Sequence, residues 1–154
     1  MILTGLEKLN FVGNYELKAP PQTVFDFVTD PSKIGKCFPD LKSLEMEGEN
    51  KFVALVRVGL GFIKGDFKFR VAFVEKDPPS KARLKGTGTG TGSTIDFDAI
   101  IELAEFVGGT KLNYRADVKI GGAMAGFAQR VLSGAAQKTI TDVFDRARRE
   151  LEKQ

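Results

Sequence analysis

Alternating apolar and polar residues along much of the chain predict an antiparallel β-sheet with one buried and one solvated face. The period of two is clearest in GDFKFRVAF (65–73) and KLNYRADVKI (111–120). Successive side chains of a strand point to opposite faces, so one row of each segment should face inward. Those rows are Phe67, Phe69, Val71 and Phe73, and Leu112, Tyr114, Ala116, Val118 and Ile120. Residues 11–18 and 51–59 repeat the pattern, with inner rows Phe11, Tyr15 and Leu17, and Phe52, Ala54, Val56 and Val58.

Two other segments have helical patterns. In APPQTVFDFVTDP, Pro20 and Pro21 open a short helix and Pro31 ends it, after which a second short helix or turn runs to Pro39. From about Ala123 to Glu152, apolar residues recur at helical spacing, which predicts one long helix of about 45 Å.

The predicted order is one strand, two short helices, about six strands and a long helix. This is an α+β fold in which a sheet of about seven strands packs on the C-terminal helix. A chain of 154 residues is the size of one domain, so we expect residues 1–154 to form a single ligand-binding domain. Residues 1–10 are a candidate N-terminal extension.

The segment LKGTGTGTGSTIDFD (84–98) lacks the residue spacing of a phosphate-binding loop and leads into a strand instead of a helix. Its glycines continue an inward row, because Gly86, Gly88 and Gly90 share the parity of Leu84. A two-residue turn at Thr91-Gly92 would pair Gly88 with Ile95, Gly86 with Phe97, Leu84 with Ala99, Lys85 with Asp98 and Lys81 with Glu102. A turn at Gly108-Gly109 would pair Leu103 with Tyr114, Ile101 with Ala116 and Phe97 with Ile120.

Glycines on the inner face leave space between the sheet and the elements that pack on it, and that space needs an explanation. Each costs about 0.5–1 kcal/mol relative to alanine in a strand. One explanation is a close approach of the last helix, whose first part is rich in Gly and Ala; the other is a cavity between sheet and helix. Both remain open at this point.

The composition excludes several kinds of chemistry. The chain has no histidine, which rules out His-based triads and metal sites. Its only cysteine, Cys37, has neither a histidine base nor a second thiol, so we interpret it as a small buried hydrophobe. No apolar run is long enough to span a bilayer, and the N-terminus does not resemble a signal peptide, so we expect a cytoplasmic protein. We also expect no cofactor and no metal.

Five motifs, in order, resemble the carbon monoxide dehydrogenase subunit CoxG and its relatives. They are APPQTVFDFVTDP, KCFPDLKSLE, VRVGLGFIKGDFKFRV, EKDPPSKARLKGTGTG and GGAMAGFAQRVL, and the similarity covers about residues 11–150. The resemblance implies the helix-grip fold of the START/polyketide-cyclase-like (SRPBCC) superfamily, in which a curved sheet wraps a long helix around an apolar pocket. It also implies a non-catalytic accessory protein of a molybdenum hydroxylase, with a quinone or other lipid as ligand and a membrane surface as a further contact.

The expected ligand-binding residues are apolar, aromatic or glycine. They are Tyr15, Phe38, Phe52, Val56, Phe67, Phe69, Gly86, Gly88, Phe97, Tyr114, Met124, Phe127 and Val131. The simpler alternative is that the phenylalanines are ordinary core and that the tyrosine hydroxyls bond to backbone or water. An enzyme of the polyketide cyclase/dehydratase type would require an acid or base in the pocket, and the inward rows offer almost none, so we assign no catalytic residue.

The outward rows are basic. Lys64, Lys68, Arg70, Lys81, Arg83 and Lys85 could dock an anionic membrane or an acidic partner. A solvated face, ion-paired with Asp66, Asp96, Asp98 and Glu102, is the interpretation we favour. No pattern of aromatic and basic residues indicates nucleic-acid binding.

Overall fold

A seven-stranded antiparallel sheet is the centre of the fold. The computed structural model describes residues 6–61 and 63–153, and within them the strands lie in the spatial order β1-β7-β6-β5-β4-β3-β2. The strands are β1 (Leu6–Leu17), β2 (Leu41–Met46), β3 (Lys51–Leu60), β4 (Ile63–Asp77), β5 (Lys81–Gly90), β6 (Ser93–Phe106) and β7 (Gly109–Gly122). The predicted α+β fold and order of elements are confirmed, although β1 begins at Leu6 instead of near Phe11. Residues 6–10 of the candidate N-terminal extension therefore lie in β1, and residues 1–5 lie outside the described part.

The β5–β6 hairpin has the predicted register. Thr91 and Gly92 form its two-residue turn, with φ angles of 50° and 74°, as a turn with two positive φ angles requires. Gly88 lies opposite Ile95 and Gly86 opposite Phe97. Side-chain parity and turn chemistry were therefore sufficient to align these two strands.

The predicted register of the β6–β7 hairpin is wrong by two residues. The turn lies at Val107-Gly108, so Leu103 pairs with Leu112 and Ile101 with Tyr114. Gly108 has the positive φ of the turn, at 93°. Gly109 belongs to β7, where a side chain would collide with the Leu17 carbonyl of β1. A shift of two residues preserves parity, so the inner row of β7 is as predicted.

Three helices flank the sheet in the described residues. After β1 come α1 (Pro21–Val28), α2 (Pro31–Ile34) and a 3-10 turn (Gly35–Cys37), and after β7 comes α3 (Gln129–Glu152). The prediction that the long helix begins near Ala123 is wrong. A 3-10 turn occupies Ala123–Gly126, and Phe127 and Ala128 are extended, which shortens α3 to about 36 Å.

The long helix lies across the inner face of the sheet, in contact with β1, α1 and the 35–37 turn. At its start, Gln129 Nε2 donates to the Lys8 carbonyl of β1 over 3.1 Å. No helix among residues 6–61 and 63–153 combines the length and apolarity needed to cross a membrane.

Candidate functional site

The core is fully buried at both ends of α3 but only partly buried beneath its middle. Leu132 near the start of the helix and Val143, Ala147 and Leu151 in its last turns are buried, whereas Ala136 and Ile140 are half-buried. The inner face of the sheet shows the same change from fully buried to half-buried side chains. Its half-buried members include Phe69, Phe73, Ile95, Phe97, Ala99, Ile101, Ala116 and Val118. We call this set, together with Ala136 and Ile140, the middle band.

Two alanines lie at the centre of the middle band. Strand pairing places Ala99 of β6 opposite Ala116 of β7, with Leu84 of β5 on one side and Phe11 of β1 on the other. Both alanines are half-buried. Both side chains are small, so this row projects little from the sheet.

Phenylalanine rings from adjacent strands cover the inward glycines. A Cβ built on Gly86 would lie 2.5 Å from Cε1 and Cζ of Phe97, and one on Gly88 would lie 2.6 Å from Cδ1 of Phe69. Both rings belong to cross-strand neighbours of the glycine they cover. The glycines are buried, but by aromatic side chains rather than by α3, so the close approach of the helix proposed from sequence does not occur at these positions. The glycines instead allow the two rings to lie flat on the sheet.

A third pair of this kind joins β1 and β7. A Cβ on Gly13 would lie 2.7 Å from Cε1 of Tyr114, its cross-strand partner. Tyr114 therefore lies along the sheet and stacks with Phe144 of α3 at a centroid distance of 5.8 Å. Gly13 lies in the inward row of β1. That parity is visible in the sequence and could have identified Gly13 as a glycine that an aromatic ring covers.

The two tyrosines differ in the environment of their hydroxyls. Burial raises the pKa of Tyr15, and a hydrogen bond with the Thr141 side chain partly opposes that rise. Its ring stacks on Phe144 at 4.5 Å. The Tyr114 hydroxyl makes no hydrogen bond within the described residues, yet no buried side-chain oxygen there lacks a partner. That hydroxyl must therefore border space that water can reach.

The predicted ligand-binding residues fall into three groups. Tyr15, Phe52, Val56, Phe69, Gly86, Gly88, Phe97 and Tyr114 lie together on the inner face. Phe67 and Met124 are buried at the end of the sheet where α3 begins, and the Phe127 ring lies over Gly61 in the β3–β4 turn. Phe38 and Val131 are exposed, at 38% and 46%, and lie outside the middle band.

Sequence reasoning omitted nine residues that the structure places in or beside the band. They are Phe73, Ile95, Ala99, Ile101, Ala116, Val118, Ala136, Ile140 and Phe144. Their inward parity or helical spacing was visible in the sequence, but aliphatic and small side chains have no chemical feature that separates a pocket wall from ordinary core.

No member of the middle band has an acidic or basic side chain. The Cys37 thiol is buried near the C-terminal end of α3, and burial raises its pKa, with Glu150 adding to the rise and Arg146 opposing it. Among the described residues no three His, Cys, Asp or Glu side chains are grouped as metal ligands would be.

The outer face of the sheet carries ion pairs, as favoured from the sequence. The Arg83 guanidinium donates two hydrogen bonds to Asp98, at 3.0 and 2.7 Å, and holds the pKa of that carboxyl below its usual value. Lys85 lies farther from the same carboxylate, at 3.8 Å. Arg70 pairs with Glu47 at 3.2 Å and Lys81 with Glu75 at 3.8 Å, so several of the predicted basic charges have acidic neighbours.

With this geometry the chain can be compared with known proteins. Residues 13–152 match the family model of the carbon monoxide dehydrogenase subunit CoxG. The chain belongs to the CoxG family. The resemblance stated from five sequence motifs is thereby confirmed, over nearly the same range.

Several solved structures share the fold of this chain. A conserved protein from Geobacillus kaustophilus is 32% identical, with a TM-score of 0.88 over 94% of this chain and 96% of that one. A START superfamily protein from Mycobacterium smegmatis (10% identity, TM-score 0.69, covering 94% and 97%) shares the fold. So does the Zhui aromatase/cyclase from a Streptomyces species (12% identity, TM-score 0.67, covering 95% and 94%). No curated protein sequence matches the chain.

Proposed function

We propose that this CoxG family protein is a non-catalytic carrier that holds an apolar small molecule, a quinone or another lipid, between the sheet and α3. The observation that carries the proposal is the middle band, where aromatic and aliphatic side chains stay half-buried between two fully buried ends of the core. Exposed apolar surface of this kind is normally covered by a partner or a ligand.

Binding energy would come from the apolar walls. A ligand that removes about 200 Å² of apolar surface from water gains about 5 kcal/mol, at about 25 cal/mol per Å². Phe69 and Phe97 lie on the sheet side and Ile140 on the helix side, so a flat ring would fit between them. Flat aromatic contacts of this type suit a quinone head group.

The Tyr114 hydroxyl would orient the ligand. It borders accessible space and makes no hydrogen bond to the described residues, so it is free to donate to a ligand carbonyl. Tyr15 is less available because Thr141 already bonds to it. The polar end of the ligand would therefore lie toward β7.

Family membership supports the biological setting of this proposal. We infer that the protein is a cytoplasmic accessory of a molybdenum hydroxylase of the carbon monoxide dehydrogenase type, since the matched family is named for a subunit of that enzyme. The enzyme alternative is weaker because the inner positions from Phe67 to Phe73, Ala82 to Gly90 and Ser93 to Leu103 are apolar, glycine or serine. They offer no general acid or base.

The test is to fill the middle band and measure bound ligand. Ala99→Leu adds three carbons at its centre, and Ala104→Leu is the matched control because Ala104 lies on the same strand but is exposed. Native mass spectrometry and organic extraction of purified protein should recover a bound lipid or quinone from the wild type and from Ala104→Leu, but much less from Ala99→Leu.

Stability separates a cavity from a packed core. If the space is open, Ala99→Leu should change the free energy of unfolding by less than about 1 kcal/mol, whereas overpacking a filled core costs about 1–3 kcal/mol. A wild-type protein that is free of any apolar ligand, combined with strong destabilisation by Ala99→Leu, would refute the carrier proposal.

A further inference from the structure

A second cleft, of about 560 Å³, lies between the α2 region and the C-terminal end of α3. Lys33 and Lys36 line one wall, on α2 and the following 3-10 turn. Arg146, Arg149 and Lys153 line the other wall, from the end of α3. Two buried apolar residues, Phe27 and Cys37, also line the cleft.

The cleft has a higher net positive charge than the rest of the chain. It contains five of the 23 Lys and Arg residues but only Glu150 of the 20 Asp and Glu residues. Its net charge is +4 in a chain whose formal net charge is +3, so the remainder of the chain is at −1. The basic character of the protein is therefore concentrated at this one cleft.

Most of these charges make no ion pair within the protein. Glu150 pairs with Lys153 at 3.2 Å. Within residues 6–61 and 63–153, Lys33, Lys36, Arg146 and Arg149 form no salt bridge. Like charges that face each other without a counter-ion weaken the fold.

A purely structural role explains only one wall. Cations in the last turn of a helix interact favourably with its dipole, which accounts for Arg149. Lys33 and Lys36 lie in a four-residue helix and a three-residue 3-10 turn, which are too short to have a strong dipole, yet both face the same cleft. Positively charged side chains that face one cleft from two separate elements are typical of an anion-binding site.

We propose that this cleft binds a phosphate-bearing ligand with at least two negative charges. A single carboxylate would leave most of the four unpaired cations uncompensated, whereas a diphosphate or a phosphorylated compound matches them. Guanidinium groups bind phosphate through paired hydrogen bonds, and lysines add point charges. The volume of about 560 Å³ exceeds that of one phosphate, so the organic part of the ligand would lie toward Phe27.

The first experiment uses the full chain and sodium pyrophosphate, followed by calorimetry and thermal unfolding at constant ionic strength. Inorganic phosphate and acetate serve as weaker and single-charge probes. Pyrophosphate should bind and raise the melting temperature, phosphate should do so less and acetate hardly at all. A second arm measures sedimentation with vesicles of phosphatidylglycerol and phosphatidylcholine against phosphatidylcholine alone, which distinguishes a lipid phosphate from a soluble one.

Matched double variants test the assignment. Arg146→Gln with Arg149→Gln should weaken binding by about tenfold or more, because charge-assisted hydrogen bonds are lost. Arg130→Gln with Lys68→Gln removes the same charge from exposed positions outside the cleft and should change affinity by less than about threefold. Lys33→Gln with Lys36→Gln tests the opposite wall and replaces the first pair if that pair does not fold.

A structural role would have another signature. If the cleft is built for an anion, the Arg146→Gln/Arg149→Gln protein without anion should lose little or no stability, since the removal of unpaired like charges offsets the lost interaction of Arg149 with the helix dipole. The proposal is supported if the protein binds pyrophosphate or phosphatidylglycerol vesicles and only the cleft variants lose that binding. Which of the two probes binds identifies the source of the phosphate. Binding of neither probe, or equal loss in the control pair, overturns it.

Discussion

Replacing Gly88 with alanine tests whether the inward glycines exist to hold aromatic rings on the sheet. The added methyl group would lie 2.6 Å from Cδ1 of Phe69 and 2.8 Å from its Cζ, well inside van der Waals contact. The Phe69 ring would have to leave its position over β5. Gly88→Ala should therefore be unfavourable even though alanine is the better strand residue.

The magnitude follows from two opposing effects. Alanine in place of glycine in a strand gains about 0.5–1 kcal/mol from backbone entropy. Displacing a packed ring costs about 1–3 kcal/mol. The expected net loss for Gly88→Ala is about 1–2 kcal/mol. In a Phe69→Ala background no ring is displaced, so the same substitution should stabilise by about 0.5–1 kcal/mol.

The assay is a double-mutant cycle of Gly88→Ala and Phe69→Ala, with free energies of unfolding from urea titration. The coupling energy should be about 2 kcal/mol. Gly59→Ala is the matched control, since its Cβ would meet only Lys64 Cγ at 3.9 Å; it should be neutral or slightly stabilising. An equal effect of Gly88→Ala in both backgrounds would refute the covering of Gly88 by Phe69 as the reason for the glycine.

Two further predictions concern titratable groups. Because Arg83 lowers the pKa of Asp98, the ionised carboxylate stabilises the fold above its unfolded pKa, and that contribution is lost as pH falls through the folded pKa. Asp98→Asn should therefore lower the free energy of unfolding near neutral pH and make that free energy fall less on acidification. Urea titrations at about pH 7 and about pH 3, with Glu102→Gln as control, measure both effects. An unchanged pH profile would contradict this. Cys37 is 2% exposed and burial raises its pKa, so dithionitrobenzoate should react slowly with the folded protein and rapidly in urea; fast reaction of the native thiol would contradict its burial.

Much of the sheet could be predicted because parity is a local property. The alternation around Phe67 and Tyr114 identified the inner rows, and the Thr91-Gly92 turn aligned β5 with β6. The β6–β7 turn could not be placed, because Gly108 and Gly109 suit a turn equally well in isolation. The carbonyl of Leu17, from the other end of the chain, excludes a side chain at position 109 and places that residue in β7.

The candidate site was predicted less well than the fold. Tyr15, Phe69 and Phe97 were identified from their inward parity, and the structure brings them to one face. Exposed Phe38 and Val131 were included because apolar character alone does not show whether a loop or helix residue faces the sheet.

The sequence by itself determined which strand residues face inward, where the β5–β6 turn falls and that histidine chemistry is absent, since each depends on residue type and neighbouring positions. Only the tertiary structure decided what covers the inward glycines, that the core is incomplete beneath the middle of α3, and that Lys33 and Lys36 share a cleft with Arg146 and Arg149. Each of these depends on sheet curvature and on the line that the helix takes across it, and both arise from packing between segments far apart in the chain.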